Sequence, residues 1–115
     1  MKIPEDDAIA KSKNGINLWA YDSKTAGAEL VYIEVEKGHF EEFYNKKSTL
    51  LYYVIDGYGE FYLDGKPTSV TRGDMVVIKP NTKCYYLGKM RLALVSTPTW
   101  NEADEVHVRF IDKSD

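Results

Sequence analysis

An all-β fold, a sandwich or a barrel, is predicted for this 115-residue chain by three observations. Short runs rich in aromatic and β-branched residues recur along it. Turn formers separate those runs at regular intervals, and no stretch sustains a 3.6-residue apolar period over the length of a helix. The length fits one domain with a core that needs no disulfide.

Residues 1–14 carry mixed charge and few large apolar groups, and read as a partly ordered arm. The folded domain is expected over 15–111, followed by a polar tail over 112–115. Gly15 opens a short strand, Ile16 to Tyr21, and Asp22 to Gly27 is a loop. In Glu29 to Glu36, Val31, Ile33 and Val35 share one face and Leu30, Tyr32, Glu34 and Glu36 the other. That alternation predicts a half-buried strand with the aliphatic face inward. His39 to Tyr44 resumes as a strand, and Thr49 to Asp56 is a central one.

Asp56-Gly57-Tyr58-Gly59 and Asp64-Gly65 read as hairpin turns around the strand Glu60 to Leu63. Pro67 to Thr71 is a strand with proline at its start, where the missing donor is tolerated. Arg72-Gly73-Asp74 is a further turn. Strands follow over Met75 to Ile78, Cys84 to Leu87, Arg91 to Ser96 and Val106 to Ile111, with a turn at Gly88-Lys89 and a loop at Thr97 to Asn101.

The net charge of −3, with both signs mixed along the chain, argues against a nucleic-acid partner, which demands a basic face. No window is long and apolar enough to cross a membrane as a helix, and no apolar run follows Met-Lys-Ile-Pro as a secretory leader would. The lone cysteine excludes an intrachain disulfide and suits a reducing, cytoplasmic setting. Nine tyrosines suit strands, pocket walls and interfaces alike.

Two glycine-headed blocks, Gly38 to Gly57 and Gly73 to Gly88, resemble the paired motifs of the cupin superfamily over about residues 28–98. The glycines, the run Tyr52-Tyr53-Val54-Ile55-Asp56-Gly57 and Gly73-Asp74 carry the resemblance. It implies a double-stranded β-helix, a jelly-roll barrel. In metal-binding cupins two histidines, a glutamate and a third histidine hold a divalent ion; the matching positions here are Tyr44, Lys46, Leu50 and Cys84. Leucine cannot donate, and lysine must first lose a proton. The resemblance therefore implies the family's scaffold without its metal, and no cofactor is expected.

Aligned in this way, Tyr44, Lys46 and Cys84 line the barrel mouth, with Tyr52, Tyr62 and Tyr86 as aromatic walls for a sugar or a flat ligand. Lys46 offers a charge or a nucleophile and Tyr44 a phenol, although a lysine reaching to water and a buried, inert Cys84 are the plainer readings. His39 and His107, the two histidines, lie off the motif positions and read as surface or strand-edge residues. Trp100, in a loop, and Trp19 read as rim or subunit-contact residues, or as core anchors.

The function expected is a metal-independent module that binds a small polar organic ligand, a carbohydrate or a carboxylate. The alternative is a metal-independent enzyme of the sugar isomerase or epimerase kind. Such enzymes use a histidine base, and the lack of a histidine at the motif positions favours binding. The family pattern also implies a homodimer.

Overall fold

The structure is a computed structural model and describes residues 1–112. Of the expected polar tail, 113–115 lie outside the described residues. The described residues fold as nine antiparallel strands: β1 (Ile9–Lys13), β2 (Ile16–Asp22), β3 (Glu29–Val35), β4 (Gly38–Asn45), β5 (Thr49–Leu63), β6 (Lys66–Thr71), β7 (Met75–Ile78), β8 (Cys84–Thr97) and β9 (Glu105–Phe110). Single 3₁₀ turns, Glu5–Asp7 and Glu102–Asp104, precede β1 and β9. The all-β barrel read from the sequence is the fold observed.

Two long strands form the spine. β5 and β8 pair from Thr49↔Thr97 to Leu63↔Cys84. On its other edge β8 holds β3 along one half and β4 along the other. β5 likewise holds β7 and then β6. β1 and β2 extend the sheet beyond β3, and β9 extends it beyond β4. The curled sheet thus has two lobes that face each other. Between them lie Ile33, Val54, Phe61, Tyr86 and Leu92, all 2 % exposed or less. As the alternation predicts, Val31, Ile33 and Val35 of β3 point into this core.

Three expectations are corrected. Asp56 to Gly59 and Gly88-Lys89 are not turns. β5 and β8 run straight through them, with a bulge between Val54 and Asp56. Gly57 and Gly88 are needed there because the two strands nearly touch. A Cβ on Gly57 would collide with the Lys89 carbonyl, one on Gly88 with the Tyr58 carbonyl, and Gly57 has φ +90°. The residues read as turn formers are the points of closest approach of the spine.

The third correction concerns the arm. Residues 9–13 form β1, paired with β2 from Ile9↔Ala20 to Lys13↔Ile16. Asn14 and Gly15, with φ of 48° and 95°, make the tight turn between them. Asn-Gly is a strong two-residue hairpin signal, because both positions demand positive φ. Asp64-Gly65, with φ of 51° and 81°, is the hairpin expected between β5 and β6.

Gly57→Ala is expected to destabilise the protein by about 3 kcal/mol, through strain at positive φ and the backbone collision together. Urea denaturation of the two proteins measures it.

Candidate functional site

A cavity opens between the lobes, with an empty volume of ≈ 790 Å³ when its open mouth is included. Leu18, Val31, Ile33 and Leu94 make apolar walls. Deep in the cavity lie His39 and Phe43 of β4, Tyr52 of β5, and Tyr86 and Ser96 of β8. Lys11 and Lys13 of β1, Glu29 of β3, Trp100 and Glu105 carry the polar groups nearer the mouth.

His39 is the centre of the arrangement. It is 3 % exposed, and neither Nδ1 nor Nε2 has a hydrogen-bond partner among the described residues. Its ring packs edge-on to Phe43 (5.4 Å between centroids) and tilted against Tyr86 (5.3 Å). Burial, helped by the positive charge of Lys13, pulls its pKa down to about 3. The imidazole is therefore neutral at physiological pH and holds a free lone pair. Glu41 Oε1 lies 3.9 Å from Nε2, too far for a hydrogen bond. That carboxylate instead accepts from Asn14 at 3.1 Å and contacts His107 Nδ1 at 2.7 Å.

Tyr52 and Tyr86 meet edge to face, with centroids 5.5 Å apart. Burial raises both pKa values far above the ordinary phenol, so both stay protonated. Phe61 stacks on Tyr86 at 4.8 Å and contacts Tyr52 at 5.1 Å, which fixes both rings from behind. Ser96 Oγ is a further buried polar atom in the cavity without a partner among the described residues. Nearer the mouth, Trp100 Nε1 donates to Glu105 at 3.0 Å, and Lys13 Nζ lies 3.9 Å from the same carboxylate. Glu29 has its pKa raised by burial and by the charge of Asp22.

Polar atoms without a protein partner in an apolar cavity cost free energy until water or a ligand bonds them. The neutral imidazole can accept a proton, and the phenols can donate hydrogen bonds.

Of the six residues singled out from the sequence, Tyr52 and Tyr86 lie in the cavity wall. The other four do not, which corrects the expectation that all share one pocket. Lys46 is exposed beyond the end of β4, where its backbone N–H bonds the Asp104 carbonyl at 2.8 Å. Tyr44 is half-buried opposite Val106. Tyr62 stacks on Tyr85 at 4.5 Å, outside the cavity. Cys84 is buried, and burial pushes its thiol pKa up, so it is no nucleophile.

The residues at the family's metal positions do not converge either: Leu50 faces the cavity, Cys84 the packed core and Lys46 the solvent. Among the described residues no group of three His, Cys, Asp or Glu side chains is placed to hold a metal ion.

His39 is the residue that the sequence reading placed elsewhere. β4 shifts register between His39 and Phe43 against β8, and between Glu42 and Phe43 against β9. Simple alternation therefore cannot say which of its side chains face inward. The available signal was its place directly after Gly38, among Phe40 and Phe43. Trp100, read as a rim residue or a core anchor, lines the cavity. Trp19 packs outside it on Tyr32, at 5.6 Å.

Residues 22–102 match the family profile described as the EutQ-like cupin domain. No curated protein matches the chain. Among solved structures, Pac13 of Streptomyces, described as a nucleoside dehydratase, is 38 % identical, with a TM-score of 0.96, covering 100 % of this chain and 96 % of Pac13. Pac13 structures with uridine, carrying one histidine-to-glutamine or one tyrosine-to-phenylalanine substitution, give TM-scores of 0.95 to 0.96. Ectoine synthase from P. lautus shares the fold at 17 % identity and a TM-score of 0.75, covering 100 % of this chain and 95 % of that one.

Because the folded pKa of His39 lies below its unfolded value, the unfolded chain binds the extra proton first as pH falls. The neutral burial of His39 is fully tolerated above about pH 6.5 and costs about 2 kcal/mol by pH 5. His39→Gln should remove that component, so its urea midpoint should fall less steeply between pH 7 and 5 than that of the wild type.

Proposed function

The chain belongs to the EutQ-like cupin family, and within it we propose a metal-independent lyase that removes water from a nucleoside, with His39 as its base. The observation that carries this is the neutral, unpartnered imidazole of His39 beside the Tyr52–Tyr86 phenol pair. Pac13 supports it. The histidine and two tyrosines substituted in its uridine-bound structures are spaced by thirteen and thirty-four residues, as His39, Tyr52 and Tyr86 are here.

The cavity suits such a ligand. A flat base fits between Trp100 and the aliphatic walls, and the sugar hydroxyls meet Ser96, the phenols and the lysines. Elimination of water moves a proton from carbon to base, turns the C–H bonding pair into a double bond, and releases hydroxide. An unactivated sugar C–H is too weak an acid for imidazole, so the substrate carries a carbonyl beside the carbon that loses its proton. His39 takes that proton, and the Glu41 carboxylate 3.9 Å away stabilises the imidazolium. The departing hydroxide needs one proton, and the imidazolium returns it, so water leaves and the site is restored. The phenols, held protonated, bond the oxygens on which charge develops.

No step calls for a metal, in keeping with Tyr44, Lys46, Leu50 and Cys84 at the family's ligand positions. A reducing cytoplasm suits the single thiol.

Purified protein should bind uridine and release one water from nucleosides that carry a sugar aldehyde or ketone, as followed by mass spectrometry. His39→Gln should lower kcat about a thousandfold with little effect on uridine affinity, and Tyr52→Phe or Tyr86→Phe should lower it less. Proton exchange without loss of water would point to the isomerase reading instead; unaltered turnover in His39→Gln would overturn both. Dialysis against EDTA should leave turnover unchanged. Activity lost to EDTA and restored by a divalent metal would sink the metal-independent part.

A further inference from the structure

The cavity holds a polar pair that takes no part in the proton transfer assigned to His39. Ser96 on β8 lies directly opposite Glu29 on β3 and Leu50 on β5, and all three line the cavity. The next inward row on the same strands is Val31, Leu94 and Tyr52. Ser96 is 1 % exposed, and its Oγ has no partner among the described residues. Its inward neighbours Leu50, Leu94 and Val31 are aliphatic and cannot bond it. Glu29 is half-buried beside it. Burial and the charge of Asp22 raise the pKa of this carboxyl group, and Lys11 partly offsets them.

The chemistry of the pair selects its ligand. A serine hydroxyl both donates and accepts a hydrogen bond, whereas a carboxylate only accepts. An alcohol complements them: it donates its proton to Glu29 and accepts from Ser96. A phosphate would meet the repulsion of Glu29, and an apolar group would leave the Ser96 hydroxyl buried and unbonded. The position also fits a sugar. Tyr52 stands two residues along β5 from Leu50, so it is the diagonal neighbour of Ser96, roughly 7–8 Å away between backbones.

We infer that Glu29 and Ser96 form a subsite for the ring hydroxyl that a ribonucleoside keeps, its 2′-hydroxyl. The inference rests on the nucleoside reading above, and adds to it a choice of ribose over 2′-deoxyribose. With the sugar carbonyl outside the ring, the carbon that loses its proton is C4′ and the hydroxyl that departs is the 3′. The 2′-hydroxyl is chemically its twin and must be told apart. Donating to the Glu29 carboxylate, the 2′-oxygen gains electron density instead of a proton, which makes it the poorer leaving group. The hydroxyl left to the His39 imidazolium is the one that receives the proton and goes.

Isothermal titration calorimetry with uridine, 2′-deoxyuridine and 2′-fluoro-2′-deoxyuridine tests the subsite. The wild type should bind uridine at least about tenfold more tightly than either analogue, because a site built for a hydroxyl rejects a ligand that lacks it. Fluorine cannot donate to Glu29, so the fluoro analogue should do no better than the deoxy one. Ser96→Ala and Glu29→Ala, shown to be folded by circular dichroism, should each shrink the preference for uridine over 2′-deoxyuridine at least about threefold. The ligand comparison on the wild type stands even where a variant fails to fold. Equal wild-type affinity for uridine and either analogue overturns the subsite and leaves the nucleoside reading in place. Folded variants that both keep the full preference do the same. A wild type that binds none of the three nucleosides overturns both.

Discussion

The pairing of β5 with β8 is the constraint on which the other elements depend. Each strand is long enough to serve both lobes, so every remaining strand is registered on this pair directly or through a neighbour. The pair must bend where it passes between the lobes. It does so through the bulge after Val54 and at Gly57, Gly59 and Gly88, where the backbones lie too close for any Cβ. Tyr52 and Tyr86 ride on these two strands, so the geometry that closes the barrel also brings their rings together.

Desolvation then does the chemical work. In water an imidazole, two phenols and a thiol would be ordinary. Sealed among Phe43, Phe61 and the aliphatic residues of β3, the imidazole loses its affinity for a proton and the phenols keep theirs. The apolar walls are thus the cause of the electrostatics. The thiol of Cys84 undergoes the same burial with the opposite consequence, because for a thiol the reactive form is the charged one. The same burial holds His39 neutral at the cost of basicity and keeps Cys84 in its unreactive thiol form.

The sequence motifs of the family and the candidate site of this chain separate at β4. The first motif, counted from Gly38, leads to Tyr44 and Lys46, where metal-binding cupins carry histidines. In this chain Lys46 lies in solvent, and the polar side chain that β4 turns to the cavity is His39. The reading of Lys46 as a pocket residue followed from spacing, and spacing transfers only while a strand keeps its alternation. β4 does not keep it, with register shifts against both neighbours. The arm was misjudged for a related reason. Residues 9–13 have little apolar character of their own, and they form a strand because the Asn14-Gly15 turn lays them on β2.

From the sequence alone came the all-β class, the cupin barrel, the inward face of β3 and the Asp64-Gly65 hairpin. The class, the β3 face and the hairpin follow from local alternation and turn chemistry, which a linear chain carries in itself; the cupin barrel came from the resemblance of its two glycine-headed blocks to the family's motifs. Only the tertiary structure decided that the glycines at 57 and 88 mark a crossing rather than turns, and that His39, not Lys46, faces the cavity beside Tyr52 and Tyr86. Those outcomes depend on bulges and on contacts between residues dozens of positions apart, so no short window of sequence contains them.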